Sequence, residues 1–218
     1  MNEPELIDSI KRVIEFEDGD LTEQIFYLET QLQGADKNKV INICDTNHIN
    51  FWLFHAASTV KDATRQINTI VHAVGILSLL PLILDNGEII EYPSLGAGNS
   101  GKKFDLETNI RIAEFEFTDW QGRDSARQTS LFEDFYNLAE YNTSKSRCLY
   151  LYDTDLPKKF LNSKSAITSV LNKNRKLQDF KKYVGNRYNW VNEYYENRKE
   201  KVDLISITEL WKENRDKI

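Results

Sequence analysis

Apolar and polar side chains alternate with a period of two between residues 111 and 118. The alternating sets are Ile112, Glu114, Glu116 and Thr118, and Arg111, Ala113, Phe115 and Phe117. Because successive side chains of a strand point to opposite faces, this spacing predicts a strand with Glu114 and Glu116 on one face. The two phenyl rings share the other face, which we expect to be buried against a helix.

Helical periodicity dominates the first third of the chain. Residues 1–34 have the spacing of two amphipathic helices that are broken near Gly19, and residues 39–44 fit a short strand. Residues 48–84 predict one long helix that ends around Pro81. Its centre is apolar on most sides, so we expect it to be deeply buried in the protein rather than to span a membrane.

Short segments rich in strand-forming residues follow, separated by turn signals and by further helical spacing. In chain order they predict strands at 88–92, 104–108 and 111–120, a helix at 125–141, a strand at 147–152, helices at 156–172 and 176–200, a strand at 202–207 and a terminal helix. The predicted fold class is therefore α/β, with a mixed sheet covered by helices.

The composition fits one globular domain. The chain has 218 residues, of which 40% are hydrophobic and 28% charged. Its two cysteines, Cys44 and Cys148, give neither a zinc spacing nor a disulfide framework. The polar N-terminal residues do not resemble a secretory signal, so we expect a cytoplasmic protein. The net charge of −6 argues against nucleic-acid binding through overall charge, although it is compatible with a local basic groove.

Three carboxylates are the main chemical candidates. If Asp105 lies on a strand next to residues 111–118, its side chain can converge with those of Glu114 and Glu116. Hard divalent cations bind such oxygen clusters, and metal-assisted phosphodiester cleavage uses them. Without cations the carboxylates would repel one another, which predicts a raised pKa for at least one of them. The alternative is a strand with one solvated face, where the carboxylates only meet water.

A glycine-rich loop precedes these strands. Gly96, Gly98 and Gly101 match the spacing of a dinucleotide-binding fingerprint, but that motif requires a helix directly after it. A strand is predicted here instead, and the loop does not end in the Gly-Lys-Ser or Gly-Lys-Thr of a phosphate-binding loop. Both interpretations are therefore rejected.

From residue 48 the predicted order is helix, strand, strand, strand, helix, strand. With Asp105 at the second strand, Glu114-Phe115-Glu116 on the third and Arg127-Gln128 early in the next helix, the chain resembles the PD-(D/E)XK, or restriction-endonuclease-like, nuclease superfamily. The resemblance covers about residues 50–155. It implies an αβββαβ core at about 48–155, with a helical extension at 1–47 and a helical appendage at 156–218 in the same single domain.

The resemblance also implies roles for individual residues. Asp105 and Glu114 would hold one or two Mg²⁺ or Mn²⁺ ions, and Gln128 would be a polar orienting residue. Glu116 occupies the position of the family's usual Lys, where it would act as a general base or as a third metal ligand. Lys103 is the nearest lysine in sequence that could supply the missing ammonium.

The implied activity is hydrolysis of phosphodiester bonds, with DNA as substrate, in restriction, phage defence or repair. Basic side chains near the core and in the later helical region would contact phosphates: Lys102, Lys103, Arg123, Arg127, Lys173 and Arg175. The protein would act as a homodimer or as a subunit of a defence complex, without a membrane partner. The alternative is a catalytically degenerate nuclease-fold protein that binds or assembles, because it lacks the usual Lys.

Overall fold

The structure, a computed structural model, describes residues 3–17, 21–96, 103–120, 124–171 and 174–214. Its internal contacts divide the chain into two compact units, Met1–Ile67 and Asn68–Ile218. The fold is mixed α/β with a five-stranded mixed sheet, as the sequence predicted at this coarse level. The finer division into a nuclease-like core with two appendages stays a prediction.

The first unit consists of helices in its described part. These are α1 (Glu3–Phe16), α2 (Leu21–Leu32), α3 (Lys37–Thr46) and α4 (Phe51–Ala63), with α1 packed on α4 and α2 on α3. The two predicted N-terminal helices are confirmed. The strand predicted at 39–44 is wrong, because Asp36 caps a helix there and its carboxylate accepts a hydrogen bond from the Lys39 N–H at 2.9 Å.

The long helix predicted at 48–84 is two helices. The first, α4, ends at Ala63, and the Thr64 hydroxyl donates to the Val60 carbonyl at 2.8 Å. The second, α5 (Ile67–Ile83), continues past Pro81 by two residues. The expectation of deep burial is wrong for one side of α5, where Ile70 and Val74 are more than half exposed.

The helical stretch Phe51–Ile83 is long and apolar enough to cross a membrane by length and composition alone. Core helices of soluble proteins can pass the same test, so this finding is weak evidence.

The sheet of the second unit follows chain order. Its strands are β1 (Ile90–Pro93), β2 (Leu106–Thr108), β3 (Arg111–Glu116), β4 (Ser146–Leu151) and β5 (Asp203–Ser206). The first two pairs, β1/β2 and β2/β3, are antiparallel, whereas β3/β4 and β4/β5 are parallel. Two residues, Asn109 and Ile110, join β2 to β3, a longer connection at 94–105 joins β1 to β2, and each parallel pair requires a crossover through helices.

The helices of this unit agree in part with the predicted ones. They are α5, α6 (Ser125–Glu140), α7 (Asp155–Leu161), α8 (Ile167–Val170), α9 (Asn174–Val184), α10 (Val191–Glu196) and α11 (Ile207–Glu213), with a 3-10 turn at Lys199–Lys201. The helix α6 is confirmed almost to the residue, and Asp124 caps it by accepting from the Ala126 and Arg127 N–H groups. The helices predicted at 156–172 and 176–200 are each broken into shorter pieces.

Each face of the sheet has its own apolar core. One core joins Phe115 and Tyr150 to Ile76 and Leu79 of α5, and the other packs Ile112 against the apolar stripe of α6. The Phe115 side chain is 5% exposed, so its predicted burial is confirmed. Phe117 is only partly buried. Its ring lies so close to Gly75 of α5 that a Cβ there would come within 2.4 Å of it.

Candidate functional site

Asp105 lies directly before β2, at the position that faces Glu114 of β3. The neighbouring register pairs Leu106 with Ala113, and opposed residues of antiparallel strands point to the same face. One oxygen of the Asp105 carboxylate, Oδ2, accepts a hydrogen bond from the Phe115 N–H at 3.0 Å. The structure therefore brings Asp105 and Glu114 together, on neighbouring extended segments, as the sequence pattern suggested.

Glu114 is partly buried, and its surroundings oppose ionisation. Burial, followed by the negative charges of Asp134 and Asp105, raises the pKa of Glu114 to about 11. A hydrogen bond with the Asp105 side chain acts in the same direction. Without a cation, Glu114 is therefore protonated at neutral pH and donates to the Asp105 carboxylate. The expectation of a raised pKa in the cluster is confirmed in direction, with burial as the largest cause.

Glu116 lies two residues further along β3, on the same face as Glu114. Burial raises its pKa, and the charge of Asp105 adds to this effect. The guanidinium of Arg127 opposes the increase. Arg127 also donates from Nε to Asp124 Oδ2 at 2.8 Å, and it lines a narrow cleft together with Glu116. Arg127 is thus a cation beside Glu116 in the described part of the structure.

Asp134 of α6 is a site residue that the sequence interpretation missed. Burial raises its pKa well above the ordinary range, and the charges of Glu116 and Asp105 raise it further. It occupies the apolar stripe of α6, three residues after Leu131 and four before Leu138. A carboxylate within an apolar helical stripe was the available signal, because such a position faces the core.

His72 of α5 was also missed. Its Nε2 lies 3.2 Å from Asp105 Oδ2, and its Nδ1 lies 3.4 Å from the Leu95 carbonyl oxygen. The hydrogen bond with Asp105 raises the pKa of His72, whereas burial opposes the increase. Nothing in the spacing of α5 singles this residue out, because only the tertiary fold brings it to Asp105.

Lys103 and Gln128 lie at different places around the site. The Lys103 ammonium is 3.9 Å from the centre of the Tyr141 ring, and burial lowers its pKa. None of the ion pairs among the described residues joins Lys103 to a carboxylate. Gln128 of α6 lines a larger cavity together with Trp120. The roles predicted for both residues stay predictions.

The predicted nucleic-acid contacts are only partly described. Lys102, Arg123 and Lys173 lie outside the described residues. Arg175 is exposed at the start of α9, and Arg127 lies in the cleft with Glu116.

The carboxylates have the donor chemistry of a Mg²⁺ or Mn²⁺ site, because hard cations prefer oxygen ligands. Within the described ranges, however, no group of three or more His, Cys, Asp or Glu side chains has the geometry to hold a metal ion. Among these side chains, the neighbouring carboxyl groups of Asp105 and Glu114 are the ligands available to a cation.

Comparison with protein-family models, with curated proteins and with solved structures finds no match to this chain in any of the three.

Proposed function

We propose that this protein is a metal-dependent nuclease that hydrolyses phosphodiester bonds of DNA. The observation that carries the proposal is the placement of Asp105 opposite Glu114, with the carboxyl groups of Glu116 and Asp134 near enough to raise the pKa of their neighbours. Several strongly perturbed carboxylates in one place are a common property of functional sites, since structure alone gains little from their mutual repulsion.

The order of elements supports the proposal. From α5 to β4 the chain runs helix, strand, strand, strand, helix, strand, with β3 and β4 parallel. This is the order on which the resemblance to PD-(D/E)XK nucleases rests. We therefore propose a restriction-endonuclease-like core for this part of the second unit, while fold similarity alone never proves an activity.

In the proposed site Asp105 and Glu114 hold the cation. A bound Mg²⁺ or Mn²⁺ would offset phosphate charge and favour ionisation of an attacking water. Glu116 would accept a proton from that water or provide a further oxygen ligand, and Gln128 would orient the nucleic-acid strand. Arg127, next to Glu116, would neutralise a phosphate oxygen.

The proposed setting is restriction, phage defence or repair in the cytoplasm, as a homodimer or as a subunit of a defence complex. Lys103 and Arg175 are proposed to contribute phosphate contacts, together with the basic residues that lie outside the described ranges.

The experiment is incubation of the full chain with plasmid, linear DNA and RNA in the presence of Mg²⁺, Mn²⁺ or EDTA. Asp105→Ala and Glu114→Ala should abolish metal-dependent cleavage while the protein stays folded, because each removes a ligand. Glu107→Ala is the matched control, since Glu107 is on β2 but pairs with Lys145 at 2.8 Å. Full cleavage by Asp105→Ala and Glu114→Ala would refute the proposed site.

The second candidate is a degenerate nuclease-fold protein that binds or assembles without cleaving. One observation favours it: Glu116 stands in place of the usual Lys. Glu116→Lys separates the two candidates. An inert wild type that gains cleavage with Glu116→Lys is degenerate, whereas an active wild type is a nuclease.

A further inference from the structure

A cavity of about 550 Å³ adjoins the narrow cleft that Glu116 lines. It shares Trp120 with the narrow cleft that contains Glu116 and Arg127. Small-molecule sites typically have volumes of about 300–1,000 Å³, so the cavity is large enough for one nucleotide. A base pair within a duplex would not enter it, because both bases and both backbones would have to fit.

The lining includes two aromatic rings. Trp120 is partly buried, and its ring centre lies 5.9 Å from that of Phe160, at an interplanar angle of 59°. Both rings line the cavity. Aromatic side chains of this kind stack on nucleic-acid bases of any sequence, because every base has a π face.

The polar part of the lining suits a nucleotide as well. Lys159 is its only charged residue among those described, and no carboxylate lines the cavity there. The side chains of Lys159 and Gln128 make no hydrogen bond to a described residue and are available to a ligand. The hydroxyls of Ser163 and Ser165 lie 2.8 Å apart and add two hydrogen-bonding groups.

We infer that this cavity binds one unpaired nucleotide of a nucleic-acid strand whose next phosphodiester lies at the carboxylates. The base stacks on the Trp120 ring, Gln128 contacts its polar edge, and Lys159 contacts a phosphate. This inference rests on the proposed function, and it adds that the substrate is single-stranded or has a nucleotide extruded from the duplex.

The test is binding in EDTA, measured by fluorescence anisotropy of a labelled dT12 strand with the full chain. Lys159→Ala should weaken binding by about fivefold and should reduce the salt dependence by about 0.7 in the slope of log K against log salt, as one lost phosphate contact does. Lys158→Ala is the matched control, because this neighbouring lysine of α7 is exposed and does not line the cavity. Gln128→Ala should weaken binding without changing the slope.

Two competitors test the nature of the ligand. A blunt-ended duplex should compete much more weakly than unlabelled dT12, and dTMP should compete only at far higher concentration. Equal competition by the duplex, or unchanged binding by Lys159→Ala, would overturn the cavity assignment. Competition by dTMP at the affinity of dT12 would overturn the assignment of a strand in favour of a free nucleotide.

Failure of the proposed nuclease gives a different result. In that case neither the wild type nor Glu116→Lys cleaves any nucleic acid with Mg²⁺ or Mn²⁺, yet dT12 binding in EDTA still depends on Lys159.

Discussion

Glu114→Gln should make the metal-free protein more stable than the wild type at neutral pH. This gain in the free energy of unfolding should shrink as the pH falls. Native Glu114 keeps its proton up to a pKa of about 11, whereas the unfolded chain releases it near the ordinary value of 4.5. Between these values the unfolded state binds fewer protons than the native state. The stability of the wild type therefore falls as the pH rises. Gln has no proton to lose, and its amide can still donate to Asp105.

The magnitude follows from linkage. One proton contributes about 1.36 kcal/mol per pH unit, so the interval from pH 4.5 to 7.5 gives a ceiling of about 4 kcal/mol. Because Glu114 and Asp134 interact and titrate together, part of this change falls on Asp134, and we expect about 2 kcal/mol of additional stability for Glu114→Gln at pH 7.5. Well below pH 4.5 this advantage should disappear, because both native and unfolded Glu114 are then protonated.

The assay is urea unfolding of both proteins in EDTA, followed by circular dichroism at several values between pH 4.5 and 8. Glu213→Gln provides the control, because Glu213 is exposed near the end of α11. Its curve of unfolding free energy against pH should parallel that of the wild type. Parallel curves for Glu114→Gln and the wild type would refute the reasoning, since they would show that native Glu114 does not hold its proton.

Two further predictions concern the packing of β3. Phe115→Ala should lower the free energy of unfolding by about 3–5 kcal/mol, because the ring is buried between the sheet and α5, and a loss below about 1 kcal/mol in urea titration would contradict that packing. Gly75→Ala should cost about 1–2 kcal/mol despite the better helix propensity of Ala, because its Cβ meets the Phe117 ring. Gly96→Ala, where a Cβ has open space, is the control for Gly75→Ala, and equal stability of the two variants would contradict the close approach.

The sequence predicts the elements whose periodicity is strong and local. The alternation around β3 and the apolar stripe of α6 each give the observed element, since one face of each is buried. The strand predicted at 39–44 is wrong because the β-branched residues there belong to helix α3, which begins at the cap Asp36. The prediction of a single helix at 48–84 is wrong because the chain breaks at Thr64. This break has no proline or glycine that would mark it in the sequence.

The site is predicted to the extent that it lies on paired strands. Asp105 and Glu114 lie together because of the register between β2 and β3. That register follows from the alternation of apolar and polar residues, which can be read from the sequence. Asp134 and His72 join them from α6 and α5, and their approach depends on how each helix packs on its face of the sheet. No local spacing encodes that packing, so the sequence pattern predicted the residues on the strands but neither Asp134 nor His72.

The protonated state of Glu114 connects the unusual Glu116 with the proposed chemistry. A lysine at position 116 would offset the negative charge of Asp105, whereas a carboxyl group there adds to the acidity of a buried cluster. In the structure the cluster is stabilised by the proton on Glu114, by His72 next to Asp105 and by Arg127 beside Glu116. A divalent cation that binds Asp105 and Glu114 must displace that proton, so binding releases protons and strengthens as the pH rises. A nuclease that carries Glu at this position should therefore depend more steeply on pH and metal concentration than its Glu116→Lys variant.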